Sequence, residues 1–510
     1  MIVKILGSTV IGIDSYSIDV EIDISSGLPQ FATVGLPDAS VKESKDRIRA
    51  AIRNSGYEFP AERVTVNLAP ADIKKEGTGF DLPIGIGILA AQKLIPAEKL
   101  QDYLIIGELS LDGAIKGVRG ALSSALHARN SGLKGMILPK DNAEEAAMVE
   151  GIDVIAAESL PDVVEFLSGR KDIVPIRVDT ENIFSQSLRY TVDFNEIQGQ
   201  ENAKRALEVA AAGGHNLLMV GPPGSGKTMI AQRLPTILPD LSFDEAVEVT
   251  KIFSVAGLLG RTDAIIGTRP FRSPHHTISD VGLAGGGNVP RPGEISLAHR
   301  GVLFLDELPE FKKNVLEVMR QPLEDGQVTI TRSSMTTTYP ASVMLIAAMN
   351  PCPCGYFGDS QRACRCSPSQ IHRYRSKISG PLLDRIDIHM EVPSIRYRQF
   401  NTLAPQKASE EIKKRVEQAR TIQKQRFGNT IQCNARMSNK QIKSYCNLDD
   451  ESQNLIEMAM DKFGFSGRAV TKILKVSRTI ADLEGCESVR SHHISEAIQY
   501  RSLDRKLSVY

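Results

Sequence analysis

The sequence predicts an α/β fold divided into several parts, because 510 residues exceed what one hydrophobic core usually organises. Strand-like and helix-like patterns alternate up to about Gly169, which is typical of α/β or α+β domains. A short apolar run then leads into a glycine-rich segment, and after Pro405 the pattern becomes mainly helical and charged. These three observations predict two α/β parts followed by a helical part.

The first part begins with a strict apolar–polar alternation at Ser17–Ser25, which predicts a half-buried strand. Asp38 is a suitable N-cap for a helix that presents an apolar stripe and ends at Gly56. Val64–Leu68 and Leu104–Ile106 are apolar enough to form further strands, with helices between them.

The composition is that of an ordinary globular protein, with 42% hydrophobic and 24% charged residues. Lys+Arg and Asp+Glu are equal at 61 each, so net charge neither favours nor excludes nucleic acid as a partner. Tryptophan is absent and aromatics are few, which makes broad base-stacking platforms unexpected. No signal peptide and no apolar run of about 18 residues is apparent, so we expect a cytoplasmic protein without membrane contact.

The glycine-rich segment matches the phosphate-loop pattern G-x-x-x-x-G-K-[ST] between the apolar run His215–Val220 and a predicted helix, Met229–Leu234. Glycines let backbone N–H groups turn inward around phosphate oxygens, and the helix N-terminus adds a favourable dipole. The lysine is expected to reach the β- and γ-phosphates, and the threonine hydroxyl to bind Mg²⁺. The predicted ATP-binding residues are Gly221, Pro222, Pro223, Gly224, Ser225, Gly226, Lys227 and Thr228.

Two further apolar runs end in polar residues that suit nucleotide hydrolysis. Val302–Leu305 is followed by Asp306, expected to hold Mg²⁺ in its outer coordination shell, and by Glu307, expected to polarise the attacking water. Leu345–Met349 is followed by Asn350, which can orient that water. In isolation, Asn350 would equally suit a turn at the end of a strand.

With these residues in place, the chain resembles the Mg-chelatase-like AAA+ proteins of the ComM/YifB type, the competence-associated branch-migration helicases. The resemblance extends over essentially the whole chain and is most specific at Arg269–Phe311. It implies that Asn350 is the sensor 1 residue and that Arg385, within GPLLDRIDI, is an arginine finger that reaches a neighbouring subunit's ATP site. It also implies that Arg468, within GFSGRAV, is the sensor 2 residue. Without the resemblance, surface salt bridges would be the simpler reading of both arginines.

The resemblance implies four ranges along the chain. They are a Lon-like, ChlI-type non-proteolytic domain at 1–169, a linker at 170–192, an AAA+ P-loop NTPase core at 193–400 and a C-terminal helical lid at 401–510.

The N-terminal range resembles the Lon-protease-type fold, which is ribosomal S5 domain 2-like, at Lys75–Gly85 and at Gly107–Lys116. Lys116 falls where the protease keeps its catalytic lysine, but Ile84 falls where the protease needs its serine. A lysine cannot activate an absent hydroxyl, so we expect a scaffold without protease activity.

Two inserts are similar to those of the Mg-chelatase clade. One contains Gly285–Gly287 and Pro290–Gly293, and the other, Gln327–Val343, has the pattern of a hairpin with strands VTITRSS and TTTYPAS. In related helicases such hairpins line the central channel and touch DNA. Arg332 is the one cation near the predicted tip, and the alternative role for the hairpin is subunit packing.

Four cysteines lie close together in a C-x-C, nine residues, C-x-C pattern, and four thiolates satisfy tetrahedral zinc. They are Cys352, Cys354, Cys364 and Cys366, and reduced free thiols are the alternative. Five cations surround them and could bind phosphates, bind a neighbouring subunit or be solvated: Arg362, Arg365, Arg373, Arg375 and Lys377. His275 and His276 lie in a polar loop without other ligands nearby in the sequence, so no metal is predicted there.

The sequence therefore predicts an ATP- and Mg²⁺-dependent hydrolase. The resemblance implies that it is the subunit of a hexameric ring motor that acts on single-stranded or branched DNA without sequence preference. Helicase or branch-migration activity in recombination or natural transformation is the expected role. The alternative is a Mg-chelatase or MoxR-like ATPase that remodels a protein partner. A protease is the third class considered, and Ile84 argues against it.

Overall fold

A computed structural model describes residues 2–75, 77–260, 263–287, 289–332, 335–359, 361–394, 409–428 and 433–501. The chain divides into two compact units. The first contains residues 1–187 and 243–267, and the second contains residues 188–242 and 268–510. The predicted boundary at residues 400 and 401 lies outside the described residues, as do Glu76 and two residues of the predicted hairpin, Ser333 and Ser334.

The strands of the described residues are, in chain order, β1 Ile2–Ile11, β2 Asp14–Ser25, β3 Gln30–Val34, β4 Arg63–Ala69, β5 Tyr103–Ile105, β6 Glu108–Leu109, β7 Ile115–Lys116, β8 Gly135–Pro139, β9 Asp153–Ala157, β10 Leu217–Val220, β11 Phe271–Arg272, β12 Gly285–Gly286, β13 Arg291–Pro292, β14 Val302–Leu305, β15 Gln327–Arg332, β16 Met335–Pro340, β17 Met344–Met349 and β18 Ile388–Glu391.

The α-helices are α1 Ala39–Asn54, α2 Asp81–Ala91, α3 Ala121–Asn130, α4 Ala143–Ala147, α5 Leu160–Leu167, α6 Thr180–Ser187, α7 Glu201–Gly213, α8 Lys227–Arg233, α9 Phe243–Ala256, α10 Asp280–Ala284, α11 Glu294–Leu297, α12 Lys313–Val318, α13 Arg320–Asp325, α14 Pro368–Arg375, α15 Gly380–Leu383, α16 Ser409–Phe427, α17 Asn439–Tyr445, α18 Asp450–Phe463, α19 Gly467–Leu483 and α20 Ser491–Gln499.

The first unit is built on a mixed sheet in the order β3-β4-β2-β1-β5-β8-β9. The pairs β1–β2 and β2–β4 are antiparallel, and the other neighbours are parallel. The predicted helix begins as expected, because the Asp38 side chain accepts a hydrogen bond from the Val41 backbone N–H, an N-cap worth about 1 kcal/mol. Its stripe of Val41, Ile48 and Ile52 is buried, so the predicted 3.6-residue periodicity is confirmed.

The helix α9 belongs to this first unit, although its residues lie within the range predicted for the ATPase core. Its apolar residues Ala246, Val249 and Ile252 are fully buried. Ser254 accepts a hydrogen bond from the Gly120 backbone N–H at 3.0 Å and donates one to the carboxylate of Glu145. Burial raises the pKa of Glu145 above its ordinary value. The predicted linker, residues 170–192, contains the helix α6.

The second unit is built on a five-stranded sheet in the order β11-β14-β17-β10-β18, in which every neighbouring pair is parallel. The three central strands β14, β17 and β10 are buried along their whole length. This explains why they read as continuous apolar runs and not as alternating patterns, since a parallel sheet is covered on both faces. Their carboxyl ends lie at one edge, where ligands of open α/β sheets bind.

A buried polar network joins the strand that leads to the phosphate loop with the C-terminal helix α19. His215 Nδ1 lies 3.3 Å from Asp387 Oδ2, and its Nε2 lies 2.8 Å from Thr479 Oγ1. Lys472 Nζ donates to Asp387 Oδ1 at 2.6 Å. Burial opposes ionisation of Asp387, but the charge of Lys472 and the hydrogen bond from His215 outweigh it and hold the pKa of Asp387 well below its ordinary value. An ionised carboxylate therefore ties the helical part to the sheet.

No helix among the described residues combines the length and the apolar character needed to cross a lipid bilayer.

Candidate ATP site

The phosphate loop follows β10 and precedes α8, as the sequence predicts, and it lines a cavity of about 430 Å³ at the carboxyl edge of the sheet. Lys227 Nζ donates to the carbonyl oxygens of Gly221 and Pro222, at 2.8 and 2.9 Å. Burial lowers the pKa of Lys227, and the nearby carboxylates of Asp306 and Glu307 partly oppose this shift. The ammonium group is thus held inside the loop, where it can exchange its carbonyl partners for phosphate oxygens.

Glycine is required at the start of this loop. A Cβ at Gly221 would lie 2.1 Å from the carbonyl oxygen of Val392, which is closer than any side chain can approach. Gly224 and Gly226 adopt φ values of +74° and +86°, in the left-handed region that favours glycine. The loop therefore has the close packing and the backbone freedom that a phosphate cradle needs.

The two acidic residues after β14 enter the same cavity. Asp306 Oδ2 accepts the Thr228 hydroxyl at 2.6 Å, which brings the two residues predicted to hold Mg²⁺ together. Glu307 adopts φ = 53°, a left-handed conformation that costs a residue other than glycine roughly 1–3 kcal/mol. Such strain is often found at functional sites, where it directs a side chain.

Asn350, at the end of β17, completes this group. Its Oδ1 accepts a hydrogen bond from Lys227 Nζ at 3.3 Å. The structure therefore brings together Lys227, Thr228, Asp306, Glu307 and Asn350 around one cavity.

The four predicted cysteines begin two residues after Asn350, and their sulfur atoms all lie within 4.8 Å of one another. The Sγ of Cys352 is 3.4 Å from that of Cys354 and 3.7 Å from that of Cys364. Sulfur atoms about 2.3 Å from a tetrahedral zinc ion are separated by about 3.8 Å, so the donor set fits zinc. Backbone N–H groups of Arg365 and Tyr356 lower the pKa of Cys354 to about 6, which favours its thiolate, whereas burial raises the pKa of Cys352 and of Cys366. A bound cation would have to offset this burial to hold all the thiols as thiolates.

A second group of candidate metal ligands consists of Glu484, Cys486 and His493. Both ring nitrogens of its histidine already have hydrogen-bond partners. His493 Nδ1 accepts a hydrogen bond from the Arg490 backbone N–H at 2.9 Å, at the start of α20. Its Nε2 then carries the proton and donates to Glu484 Oε2 at 3.0 Å. Both nitrogens of His493 are used in this helix cap, so we assign no metal to this group.

Comparison with known proteins places the chain in a family. Residues 193–400 match the model described as magnesium chelatase, subunit ChlI, and residues 20–142 match subunit ChlI of Mg-chelatase. Residues 406–501 match the magnesium chelatase subunit ChlI C-terminal model. The uncharacterized protein YifB of Escherichia coli is 44% identical over 98% of this chain and 96% of its own length. The competence protein ComM of Haemophilus influenzae is 43% identical over 97% of this chain and 96% of its own length.

The chain belongs to the ComM/YifB family of Mg-chelatase-like AAA+ proteins. Membership of this family implies ATPase activity, with ATP and Mg²⁺ as its requirements. The similarity reaches magnesium chelatase itself only in part. The magnesium-chelatase 38 kDa subunit of Rhodobacter capsulatus is 25% identical over 31% of this chain and 50% of its own length.

Two arginines that the ComM/YifB resemblance assigns to catalysis have partners away from the cavity of their own chain. Arg385 donates to the carboxylate of Glu324, to the Pro381 carbonyl oxygen at 2.6 Å and to the Arg320 carbonyl oxygen at 3.2 Å. Arg468 Nη1 lies 3.3 Å from Asp384 Oδ2, and 77% of its side chain is exposed. Because Asp384 adjoins Arg385 in the chain, the two arginines lie in the same region of the second unit.

The basic residues around the cysteines are not equivalent. Arg375 is buried, donates to the Pro351 carbonyl oxygen at 3.1 Å and stacks over the Phe357 ring, so it supports the loop and is not available to phosphates. Arg362 donates to the Tyr356 hydroxyl, and Lys377 pairs with Glu310. Arg365 and Arg373 are exposed.

The predicted hairpin is present as the antiparallel pair β15–β16. Val328, Ile330, Thr337 and Tyr339 are buried on one face. The opposite face exposes the threonine pairs Thr329–Thr338 and Thr331–Thr336, and the hydroxyls of the first pair lie 3.2 Å apart.

The first insert packs on this hairpin. Tyr339 donates its hydroxyl to the Pro290 carbonyl oxygen at 2.7 Å. A Cβ at Gly286 would lie 3.4 Å from Arg332 Nη2, and a Cβ at Gly285 would lie 3.0 Å from Ile330 Cδ1. The glycines of the insert therefore allow the two segments to pack closely.

The N-terminal residues aligned with a protease active site do not form one. Ile84 is fully buried in α2, a helix whose side chains are nearly all buried. Lys116 is exposed on β7. The apolar side chain at position 84 fills the core of the first unit and offers no nucleophile.

Sequence reasoning did not find one residue beside the site. His276 Nδ1 lies 3.5 Å from Glu307 Oε2. The two residues are far apart in the sequence, and the strand before His276, β11, is too short to leave a pattern in the sequence.

Proposed function

We propose that this chain is the subunit of an ATP-driven ring motor that acts on DNA, as a helicase or branch-migration enzyme in recombination or natural transformation. The name of the Haemophilus influenzae relative, a competence protein, supports this role. The structural observation that carries the proposal is the hairpin β15–β16. Its exposed face offers threonine hydroxyl groups, and neither strand contains an acidic residue. The exposed Arg332 ends β15 on the other face, beside the first insert.

This face is suited to a polyanion without base specificity. Threonine hydroxyls and arginine side chains are common donors to phosphate oxygens, and such contacts position a nucleic acid without reading its sequence. An exposed carboxylate on these strands would repel phosphates, and the sequence has none there. The exposed Arg365 and Arg373 could add further phosphate contacts.

In the proposed hydrolysis reaction, each residue of the cavity has one task. Lys227 would hold the β- and γ-phosphates, and Thr228 and Asp306 would hold the Mg²⁺ that neutralises them. Glu307 would accept a proton from the attacking water, while Asn350 would orient that water.

We propose a homo-oligomeric ring, with the six subunits that the family resemblance implies, because Arg385 has its partners away from the cavity of its own chain. Arg385 would serve the site of the neighbouring subunit, and Arg468 would act as the sensor 2 residue of the lid. In this scheme Arg385 exchanges the Glu324 carboxylate for a phosphate when subunits assemble. The residues beyond 400 would act as the helical lid.

The first unit is proposed to be a Lon-like, ribosomal S5 domain 2-like scaffold without protease activity. The buried Ile84 supports the loss of that activity. Such a scaffold could guide DNA toward the ring.

We propose a structural zinc ion bound by Cys352, Cys354, Cys364 and Cys366, whose sulfur geometry suits it. Purified protein is expected to carry about one zinc per chain, and replacement of Cys352 and Cys364 by serine should abolish it. Elemental analysis after chelator-free, reducing purification measures this. Replacement of Cys433 and Cys486, which lie outside the group, is the control and should leave the metal content unchanged. Protein without zinc would indicate four free thiols.

DNA is expected to stimulate ATP turnover and to bind with an affinity that falls by about 0.7–0.9 log units per log unit of salt for each phosphate neutralised. The test measures ATPase activity and DNA binding with single-stranded, duplex and four-way-junction DNA at two salt concentrations. Arg332→Ala, and Thr329→Val with Thr331→Val, should weaken stimulation but leave basal activity intact. Valine keeps the shape of threonine and removes only the hydroxyl.

The control for these variants is Thr421→Val, an exposed threonine on α16. If no DNA binds to or stimulates an assembled ring, the DNA proposal fails, and a protein-remodelling ATPase takes its place. Stimulation by a protein partner would then be the activity to seek.

A further inference from the structure

The strand order explains how His276 comes to lie beside Glu307. Strand β11 pairs in parallel with β14, with Arg272 opposite Leu303. Parallel neighbours end at the same edge of the sheet, so residues that follow both strands meet there. His276 Nδ1 and Glu307 Oε2 are separated by 3.5 Å. Catalytic hydrogen bonds are often this long before substrate binds and shorten afterwards.

The imidazole of His276 is held from two sides. Its ring centroid lies 4.1 Å from that of His275 and 6.4 Å from that of Phe311, which meets it edge-on. His275 is in turn fixed by a local turn, in which its Nδ1 lies 2.9 Å from Thr277 Oγ1 and its carbonyl oxygen accepts from the Ile278 backbone N–H. A side chain that is fixed in this way can orient another one.

Glu307 needs such an orienting partner. Its backbone is in the left-handed region, and 55% of its side chain is exposed, so packing alone leaves the carboxylate several rotamers. A carboxylate has two oxygens, and His276 approaches Oε2. The other oxygen remains available to a water molecule in the cavity.

We propose that His276 is a positioning residue for ATP hydrolysis: its Nδ1–H donates to Glu307 Oε2 and holds the carboxylate so that Oε1 can accept a proton from the attacking water. The inference rests on the proposed role of Glu307. It assigns to His276 neither nucleotide binding nor metal binding.

The test compares His276→Ala and His276→Asn in the full-length protein. His276→Ala is expected to lower kcat by about 10–100-fold, the range found when a partner that orients a functional ligand is removed. The KM for ATP and the Kd of a fluorescent ATP analogue should change less than about twofold, because the phosphate loop is intact. Asparagine should restore part of kcat, because its amide N–H can take the place of the Nδ1–H.

A double-mutant cycle isolates the contact. In the Glu307→Gln background, His276→Ala should cause no further loss, because the carboxylate that it positions is already gone. The control is His492→Asn, which removes an exposed histidine that also lies near a glutamate oxygen, at 3.1 Å, but away from the ATP site. This variant should keep the kcat of the parent.

Unchanged or increased kcat in His276→Ala would overturn the assignment, as would an equal loss in the Glu307→Gln background. Weakened binding of the analogue would mean a structural role, and so would no recovery with asparagine. The proposed role of Glu307 is tested separately by Glu307→Gln alone. If that variant turns over normally, Glu307 is misassigned; if it is slow while His276→Ala is normal, only the inference on His276 fails.

Discussion

Replacement of Glu307 by glutamine is expected to slow ATP hydrolysis by about 10²–10⁴-fold, the usual contribution of a positioned acid or base. Glutamine has nearly the same shape but cannot accept the proton from water. The Kd of ATP should stay close to that of the parent, because Lys227 and the loop glycines are unchanged. Steady-state ATPase assays and equilibrium binding of a fluorescent analogue measure the two quantities.

Lys227→Ala should instead abolish nucleotide binding, since the phosphates lose the cation that the loop holds.

The control for Glu307→Gln is Glu310→Gln, three residues further along the chain. The carboxylate of Glu310 pairs with Lys377 and does not face the cavity. That variant should behave like the parent. Parent-like turnover in Glu307→Gln would show that another group activates the water.

The second large effect concerns Arg385, whose loss is expected to lower turnover by about 10³-fold or more, the effect of an arginine supplied in trans in related reactions. Specific activity of the parent should rise with protein concentration, because each site gains its arginine only on assembly. Arg385→Ala should abolish that rise. Arg177→Ala, which removes an arginine paired with Asp153 in the first unit, is the control.

Mixing two inactive variants tests the shared ATP site more directly than either variant alone. Arg385→Ala subunits retain an intact phosphate loop, and Lys227→Ala subunits retain the arginine, so mixed rings should recover part of the activity. The mixing ratio is varied, and co-assembly is checked by size-exclusion chromatography. Co-assembled rings without activity at every ratio would contradict a shared site.

The elements around the cavity could be predicted from the sequence because their signals are local. β10 and β14 are buried on both faces and read as apolar runs, and the residues after each run then lie at one edge of the sheet. The cysteine cluster was predictable for the same reason, because all four residues lie within one loop of the sequence.

Contacts between distant segments could not be predicted in this way. His276 meets Glu307 because β11 pairs with β14, and two residues of strand carry too little pattern to reveal this neighbour. The partner of Arg385 is Glu324, on the separate helix α13. For Arg375, position in a basic run suggested exposure, whereas the structure buries it against the Pro351 carbonyl oxygen.

The segment 243–267 has a consequence for inheritance. Because it folds with the first unit, the chain passes from one unit to the other after residues 187, 242 and 267. A single crossover in the coding sequence therefore cannot exchange the first unit for another domain. It would separate Ser254 from its hydrogen-bond partners Gly120 and Glu145. Recombination could transfer the first unit intact only if residues 1–187 and 243–267 moved together.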